Sequence, residues 1–185
     1  MVLPCCYLAP VSWYRALAKE PSVLVEVCDS YRRQTLRNRC LIDSPQGVLA
    51  LSVPVEKPQP GSLTRDIRVS DHGNWRHQHW NALKSSYRQS PFFEYYQDDF
   101  APFYEKKWEF LADYNMELAV LVCSLLGIDT ALSPTREYGA CSVDLAAVAP
   151  VKPYYQVFAH KHGFLEGLSI VDLLFNMGPE SLLLL

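Results

Sequence analysis

The periodicity of the apolar residues changes near residue 70 of this 185-residue chain. Before that point, short segments rich in β-branched residues, such as residues 23–27, are separated by proline, glycine and serine, a pattern that predicts strands. After it, apolar residues recur every three or four positions, as on one face of a helix. The change predicts an α+β fold in which a mixed, largely antiparallel sheet from residues 1–70 is covered by helices from the second half. A helix expected between the first two strands leaves an α/β fold as the alternative.

Turn and cap residues place the expected elements. The first forty residues predict a strand, a helix that begins near Ser12 and is stopped by Pro21, and a second strand. Residues 43–47 are rich in turn formers and predict a hairpin between flanking strands. The elements expected later are a helix between Asn74 and Pro91, a helix at about residues 103–126, a strand near 154–158 and a helix between Ser169 and Gly178.

Length and composition favour one folded domain, residues 1–185. Hydrophobic residues make up 49% of the chain and charged residues 20%, as in globular domains. No segment resembles a secretory signal, and no apolar run reaches the roughly 20 residues that span a bilayer, so we expect a cytoplasmic protein without membrane insertion. The six cysteines form no CxxC pair, which predicts reduced thiols.

Basic residues are concentrated in residues 31–88. This segment holds ten lysines and arginines against four acids, a net charge of +6, whereas the rest of the chain carries −9. The planar guanidinium group of arginine binds phosphate or carboxylate through two parallel hydrogen bonds, so the segment indicates a phosphorylated small-molecule ligand. The alternative is that these arginines lie on exposed strand faces and neutralise acidic helices.

Two polar residues interrupt apolar helix faces. His79 shares a face with Trp75, Leu83 and Tyr87, and Asn115 lies on the apolar face of the long helix. A buried polar group without a partner costs about 1–3 kcal/mol, so each either makes an interior hydrogen bond or lines a pocket. Histidine exchanges protons near neutral pH, which makes His79 the better candidate for catalysis.

Known metal and nucleotide motifs are missing from the sequence. The pair His77 and His79 lies on a helix, where residues two apart point to different sides, and the pair His160 and His162 lacks an acidic third ligand. We therefore expect no metal site. The chain has no Walker A, GxGxxG, HExxH or GxSxG pattern, so the cofactor stays unknown.

A series of motifs resembles the WbqC-like protein family over nearly the whole chain. The motifs are residues 31–39 (YRRQTLRNR), residues 51–55 (LSVPV), Asn74-Trp75 with His79, residues 87–91, Asn115 and residues 168–178. Two places depart from the family pattern: the opening residues 3–7 replace a Gln-Pro-type motif, and the segment between Gly127 and Leu168 is shorter than in long members.

The resemblance implies a role in bacterial surface-polysaccharide (O-antigen) biosynthesis. The first hypothesis is a transferase that moves an acyl or aminoacyl group to a nucleotide-linked amino sugar, with Arg37 and Arg39 clamping phosphate, Asn38 orienting it and His79 as general base. The second is a noncatalytic protein of the same pathway that binds a sugar or nucleotide-sugar. The third, a nucleic-acid-binding module, is disfavoured by the acidic pI. The expected substrate-binding residues are Arg37, Asn38, Arg39, Trp75 and Tyr87.

Overall fold

A three-stranded parallel sheet forms the first layer of the fold. The computed structural model describes residues 1–149 and 151–185. The sheet has the order β1 (Val2–Pro4), β2 (Ser22–Glu26), β5 (Ala131–Pro134), and α1 (Val11–Leu17) connects the first two strands. This strand-helix-strand unit is what the opening forty residues predicted.

A separate hairpin forms the second, smaller sheet. Strand β3 (Arg39–Ile42) pairs antiparallel with β4 (Leu49–Ser52), with Arg39 opposite Ser52. The turn predicted at residues 43–47 joins them. The α+β class is therefore confirmed.

The strand arrangement differs from the largely antiparallel sheet that was expected. The larger sheet is parallel, and its third strand comes from outside residues 1–70. The four residues of β5, Ala-Leu-Ser-Pro, contain no β-branched residue, so their extended form follows from pairing with β2 rather than from local preference.

Helices cover the sheets. They are α2 (Trp75–Tyr87), α3 (Phe93–Glu105), α4 (Leu111–Leu126), α5 (Ala159–His162) and α6 (Ile170–Met177), with 3-10 helices at Thr64–Asp66 and Gly178–Leu184. Gly127 ends α4 in the left-handed conformation, with φ of 69°. The Ser169 side chain caps α6 by accepting a hydrogen bond from Val171 N.

The helix expected at about residues 103–126 begins only at Leu111, and the residues before the break belong to α3, which starts at Phe93 and was not predicted. The chain leaves helical geometry at Lys106 and becomes extended, and Val69 N then donates to Glu109 O at 2.9 Å while Leu111 N donates to Ile67 O at 2.9 Å. These backbone pairs with the segment after the hairpin replace helical hydrogen bonds, which explains the break.

The strand expected near residues 154–158 is absent from the described structure. The Gln156 side chain instead bonds to both backbone and side-chain groups of the C-terminal segment, donating to Leu165 O and accepting from Leu165 N, each at 2.9 Å. A turn leads directly into α5. Side-chain hydrogen bonding thus replaces a strand ladder here.

The core lies between the parallel sheet and the helices. Phe175 of α6 contacts the rings of Tyr87, Phe93 and Phe100, with ring centroids 5.1–5.3 Å apart. All four side chains are fully or almost fully buried. This aromatic cluster fixes α2, α3 and α6 against one another.

Candidate functional site

A cavity of about 600 Å³ opens at the carboxyl edge of the parallel sheet. Ligands of open parallel sheets commonly bind at this edge. The segments that follow β2 and β5 form two walls, and the segment before β3 forms the third. The lining residues are Glu26, Cys28, Asp29, Ser30, Arg32, Thr35, Arg37, Tyr138, Gly139 and Cys141.

Glu26 is the last residue of β2 and is only 1% exposed. One carboxylate oxygen, Oε1, accepts hydrogen bonds from Cys28 N at 2.6 Å and Thr135 Oγ1 at 3.1 Å. The other, Oε2, accepts from Gly139 N at 2.7 Å. These bonds join the segments after β2 and β5 and hold the carboxylate in place.

Gly139 allows this close approach. A Cβ atom at this position would lie 3.4 Å from Glu26 Oε2 and would fill space between the backbone and the carboxylate. A side chain here would therefore be in van der Waals contact with the carboxylate.

Arg37, which also lines the cavity, forms an ion pair with Asp29. Burial lowers the pKa of Arg37, but the hydrogen bond and charge of Asp29 raise it more, so the net shift is upward and the guanidinium stays charged. Its second contact is a 3.4 Å hydrogen bond from Nη1 to Thr35 Oγ1. The Thr64 hydroxyl donates to the other oxygen of Asp29.

Asn115 holds the backbone beneath Arg37. Its Nδ2 donates to Arg37 O at 2.7 Å and lies 3.4 Å from Cys5 Sγ. The side chain is 2% exposed, so the predicted polar interruption of the α4 face is an interior hydrogen bond. Through this bond α4 supports the wall of the cavity.

Two cysteines, Cys28 and Cys141, line the cavity. Burial raises the pKa of the Cys141 thiol, and the charges of Asp29 and Glu26 raise it further. Cys28 is buried, and its thiol lies 3.4 Å from Thr135 O as a donor. All six cysteines are free thiols, and their reduced state stays a prediction.

His79 lies outside the cavity, in the interior beneath the hairpin. Its Nδ1 is 2.9 Å from the Tyr7 hydroxyl, and its ring contacts Trp75 edge-on at 5.1 Å. Burial lowers the pKa of His79 to about 4, and a hydrogen bond with the backbone of Ser52 opposes that shift. The imidazole is therefore neutral at neutral pH.

The other predicted site residues are dispersed. Asn38 Nδ2 donates to Val53 O at 3.1 Å, and Arg39 Nε donates to Ser52 Oγ at 3.0 Å. Both contacts lie within the hairpin. Of the residues predicted to bind or transform a ligand, Arg37 alone lines the cavity.

The two aromatic residues predicted to bind a substrate are interior. Trp75 is 4% exposed, and its Nε1 donates to Ser70 O at 3.0 Å. Tyr87 is fully buried and donates to Asp172 Oδ1 at 2.9 Å. Neither ring presents a stacking surface.

A second polar cluster surrounds Asp172 of α6. Its Oδ2 accepts from Tyr154 Oη at 2.7 Å and Gln156 Nε2 at 2.9 Å. Burial raises the pKa of Asp172 to about 6 against the effect of these hydrogen bonds. Nearby, Asp43 Oδ1 lies 3.2 Å from His162 Nε2. The cluster joins the hairpin turn, α2, α6 and the segment before α6.

The described residues contain no group of three or more His, Cys, Asp or Glu side chains positioned for a metal ion. His77 contacts Asn81 and His162 contacts Asp43, so these histidines have protein partners. Among the helices described, none combines the length and apolar character needed to cross a bilayer.

Sequence comparison decides the family. A sequence profile of the WbqC-like protein family matches residues 7–149, well over half of the chain. The chain belongs to the WbqC-like protein family. The matched region contains all the residues that line the cavity, together with the hairpin and helices α2 to α4.

One curated relative of this WbqC-like protein is the uncharacterized protein Rv1507c of Mycobacterium tuberculosis (strain ATCC 25618 / H37Rv). It is 33% identical over 111 residues, which are 58% of this chain and 47% of the relative. The chain thus aligns with about half of that protein's length. No solved structure matches the chain with significant similarity.

Proposed function

We propose that this WbqC-like protein transfers an acyl or aminoacyl group to a nucleotide-linked amino sugar in the biosynthesis of bacterial surface polysaccharide, in the cytoplasm. The observation that carries the proposal is the cavity in which the Arg37 guanidinium and the Glu26 and Asp29 carboxylates lie together. Such a site offers a cation for phosphate and carboxylates for an amine.

The size and position of the cavity suit a ligand of this kind. Its volume of about 600 Å³ lies within the range of about 300–1,000 Å³ that is usual for small-molecule sites. The carboxyl edge of parallel strands brings residues from separate loops to one place, which favours binding of a ligand with several functional groups.

Arg37 is the proposed phosphate contact. A guanidinium has five N–H donors, and its contacts with Asp29 and Thr35 leave donors free for a phosphate oxygen. Arg32 is exposed at the same cavity and adds a second positive charge. Arg39, which the sequence placed beside Arg37 as a clamp, faces the hairpin instead.

The carboxylates supply the acid-base chemistry of the transfer. The neutral amine of the sugar forms a bond to the carbonyl carbon of an activated acyl or aminoacyl donor, the bond from that carbon to the leaving group breaks, and the amine proton passes to a carboxylate. Glu26 and Asp29 are the carboxylates in the cavity, whereas His79 is outside it. We therefore move the general-base role from His79 to this pair.

A second candidate function, binding without turnover, is favoured by the hydrogen bonding of the carboxylates. Glu26 already accepts three hydrogen bonds, and Asp29 is engaged by Arg37 and Thr64. Carboxylates held this firmly recognise a ligand well even where they do not accept its proton. The nucleic-acid hypothesis has less support, because the rings of Trp75 and Tyr87 are buried.

Calorimetric titration with a nucleotide-linked amino sugar tests the site. Arg37→Ala is expected to weaken binding by tenfold or more, roughly one charge-assisted contact, and the wild-type affinity is expected to fall with added salt. Arg33→Ala, an exposed arginine outside the lining, is the matched control and is expected to bind normally. Arg37→Lys keeps a positive charge near Asp29, so this variant is the conservative alternative if Arg37→Ala fails to fold. Thermal unfolding shows whether each variant is folded.

Mass spectrometry of the bound sugar after addition of acyl and aminoacyl donors separates transfer from binding. A mass increase on the amine supports transfer, and tight binding with unmodified sugar supports the noncatalytic function. Equal affinity of wild type, Arg37→Ala and Arg37→Lys would rule out the Arg37 site.

A further inference from the structure

We infer that Glu26 recognises an ammonium group, so that the cavity selects a ligand with a free amine on one side and a phosphate on the other. The inference rests on the proposed function and adds to it the residue that determines specificity. Four observations lead to it: the burial of Glu26, the neutral character of its hydrogen-bond partners, its place in the cavity lining and the arginines that line the same cavity.

Glu26 is a buried carboxylate whose hydrogen-bond donors are all neutral. They are two backbone amides, those of Cys28 and Gly139, and the hydroxyl of Thr135. Within residues 1–149 and 151–185, no lysine, arginine or histidine nitrogen lies within ion-pair distance of this carboxylate. A buried charge is costly to maintain unless a charge of opposite sign accompanies it.

We assign the positive partner of Glu26 to a ligand in the cavity. Glu26 is part of the lining of the cavity, so a ligand bound there lies next to this residue. Oε1 accepts two hydrogen bonds but Oε2 accepts one, from Gly139 N. A carboxylate oxygen accepts about two, so Oε2 retains capacity for one more donor.

The arginines that line the same cavity explain why the ligand carries both charges. Arg37 and Arg32 are positive, and Asp29 neutralises only one of these charges. A ligand with an ammonium near Glu26 and a phosphate near the arginines matches both sides. A purely anionic ligand would leave Glu26 unpaired and add a repelling charge.

An ammonium fits this site better than a metal ion. A metal ion requires several ligating side chains, and the described residues bring no three together. An ammonium has three N–H donors and needs only acceptors, one of which is Oε2. The nearby guanidinium of Arg37 also disfavours a doubly charged cation.

This recognition gives the transfer reaction a direction. The bound ammonium first loses one proton to solvent, the neutral amine then attacks the acyl or aminoacyl donor as its leaving group departs, and the second proton passes to a carboxylate. The product is a neutral amide, which no longer compensates the charge of Glu26. The product therefore binds more weakly than the substrate at this position, and release is favoured. Glu26 is thus a specificity-determining residue that contacts the group to be modified.

The test compares three ligands that share one nucleotide: the amino sugar, its N-acetyl derivative and the parent sugar with a hydroxyl group. Titration of the wild-type protein is expected to show the amino sugar bound about tenfold or more tightly than either of the others, as for a close charge pair. Equal affinity for the three ligands would overturn the inference without the use of any variant.

Glu26→Gln is expected to remove the preference for the amine while the hydroxyl sugar binds as before. Glu137→Gln is the control, because Glu137 is exposed two residues from Gly139 and is absent from the lining. Glu26→Asp keeps the negative charge but moves it back by one methylene group. A reduced preference for the amino sugar in a folded Glu26→Asp protein would show that the loss comes from recognition and not from unfolding. Retention of the full preference in Glu26→Gln would contradict the assignment.

The outcomes for the two proposals are distinguishable. Loss of affinity in Arg37→Ala together with no amine preference in the wild type retains the phosphate site and overturns the role of Glu26. Failure of all three ligands to bind the wild type overturns the proposed function and the role of Glu26 together.

Discussion

The Tyr7 hydroxyl lies 2.9 Å from Nδ1 of His79, and this contact links the segment after β1 to helix α2. The same hydroxyl is 3.0 Å from that of Tyr104 on α3. His79 is therefore part of a buried chain of hydrogen bonds between three elements. This hydrogen bond explains why a polar residue is found on the apolar face of α2.

The first prediction is that His79→Gln destabilises the fold without changing ligand affinity. Loss of the aromatic ring contact with Trp75 and imperfect replacement of the bond to Tyr7 are expected to cost about 1–3 kcal/mol of unfolding free energy. Denaturant unfolding measures the loss, and titration with the nucleotide-linked amino sugar measures the affinity. An unchanged stability with abolished turnover would instead support the general-base role first predicted for His79.

The second prediction concerns pH, because His79 and Asp172 have opposite effects on stability. Burial lowers the pKa of His79 from 6.5 to about 4, so its contribution is lost as the pH falls from 6.5 towards 4. Burial raises the pKa of Asp172 from 3.8 to about 6, so its contribution is lost as the pH rises from 3.8 towards 6. Each shift of two units or more corresponds to about 3 kcal/mol of unfolding free energy.

The two single variants are expected to reveal these opposed slopes. His79→Gln leaves Asp172 and the buried Asp43, whose pKa burial also raises, and its stability is expected to fall as the pH rises from about 4 to 6. Asp172→Asn leaves His79 and Asp43, so its stability is expected to rise relative to that of His79→Gln over the same interval. Denaturant unfolding at several pH values measures both. Parallel pH profiles of the two variants would contradict the assignment.

The third prediction is that Asn115→Ala weakens both the fold and the site. The substitution removes the donor to Arg37 O and leaves this carbonyl unpaired, at a cost of about 1–3 kcal/mol. Because the same bond positions the Arg37 backbone, ligand affinity is expected to fall as well. Ser124→Ala, at an exposed position of the same helix, is the control and is expected to change the unfolding free energy by no more than about 0.5 kcal/mol.

The elements that were predicted correctly carry local signals. The hairpin follows from the turn residues at 43–47, and α6 follows from the Ser169 cap. Strand β5 and the break between α3 and α4 depend on backbone pairing with distant segments, at residues 22–25 and 67–69. A local pattern contains no information about such partners, which is why these elements were missed.

The candidate site divides in the same way. Arg37 was predicted from the concentration of basic residues, and Asn115 from its place on an apolar face. Glu26 is the last residue of β2, which is rich in β-branched residues, and Asp29 follows it. A prediction that β2 belongs to a parallel sheet would have pointed to both residues, because ligands bind at the carboxyl ends of such strands. Gly139 reaches Glu26 only because β5 pairs with β2, across more than one hundred residues of sequence.

The fourth prediction is that Tyr87→Phe lowers stability and leaves ligand affinity unchanged. The Tyr87 hydroxyl donates to Asp172 Oδ1 at 2.9 Å and accepts from Asp43 N at 3.1 Å. Its removal leaves a buried amide and reduces the bonding of a buried acid, which is expected to cost about 1–3 kcal/mol. Thermal unfolding and titration are the measurements. A loss of affinity in a stably folded Tyr87→Phe protein would restore the substrate-binding role predicted from the sequence.

The last prediction is that Gly178→Ala is more damaging than a glycine replacement at the end of α4. Gly178 follows α6 with φ of 53° and ψ of −131°, a combination that side chains rarely adopt, and an added Cβ would lie 2.5 Å from Cδ1 of Phe92. Gly178→Ala is therefore expected to cause backbone strain of about 1–3 kcal/mol and, in addition, a steric clash with the Phe92 ring. Gly127 also has a positive φ, 69°, but a Cβ there would meet no atom within 4 Å, so Gly127→Ala carries the strain alone. Denaturant unfolding is expected to show a clearly larger loss for Gly178→Ala. If the two variants lost equal stability, the contact between Gly178 and Phe92 would have no energetic importance.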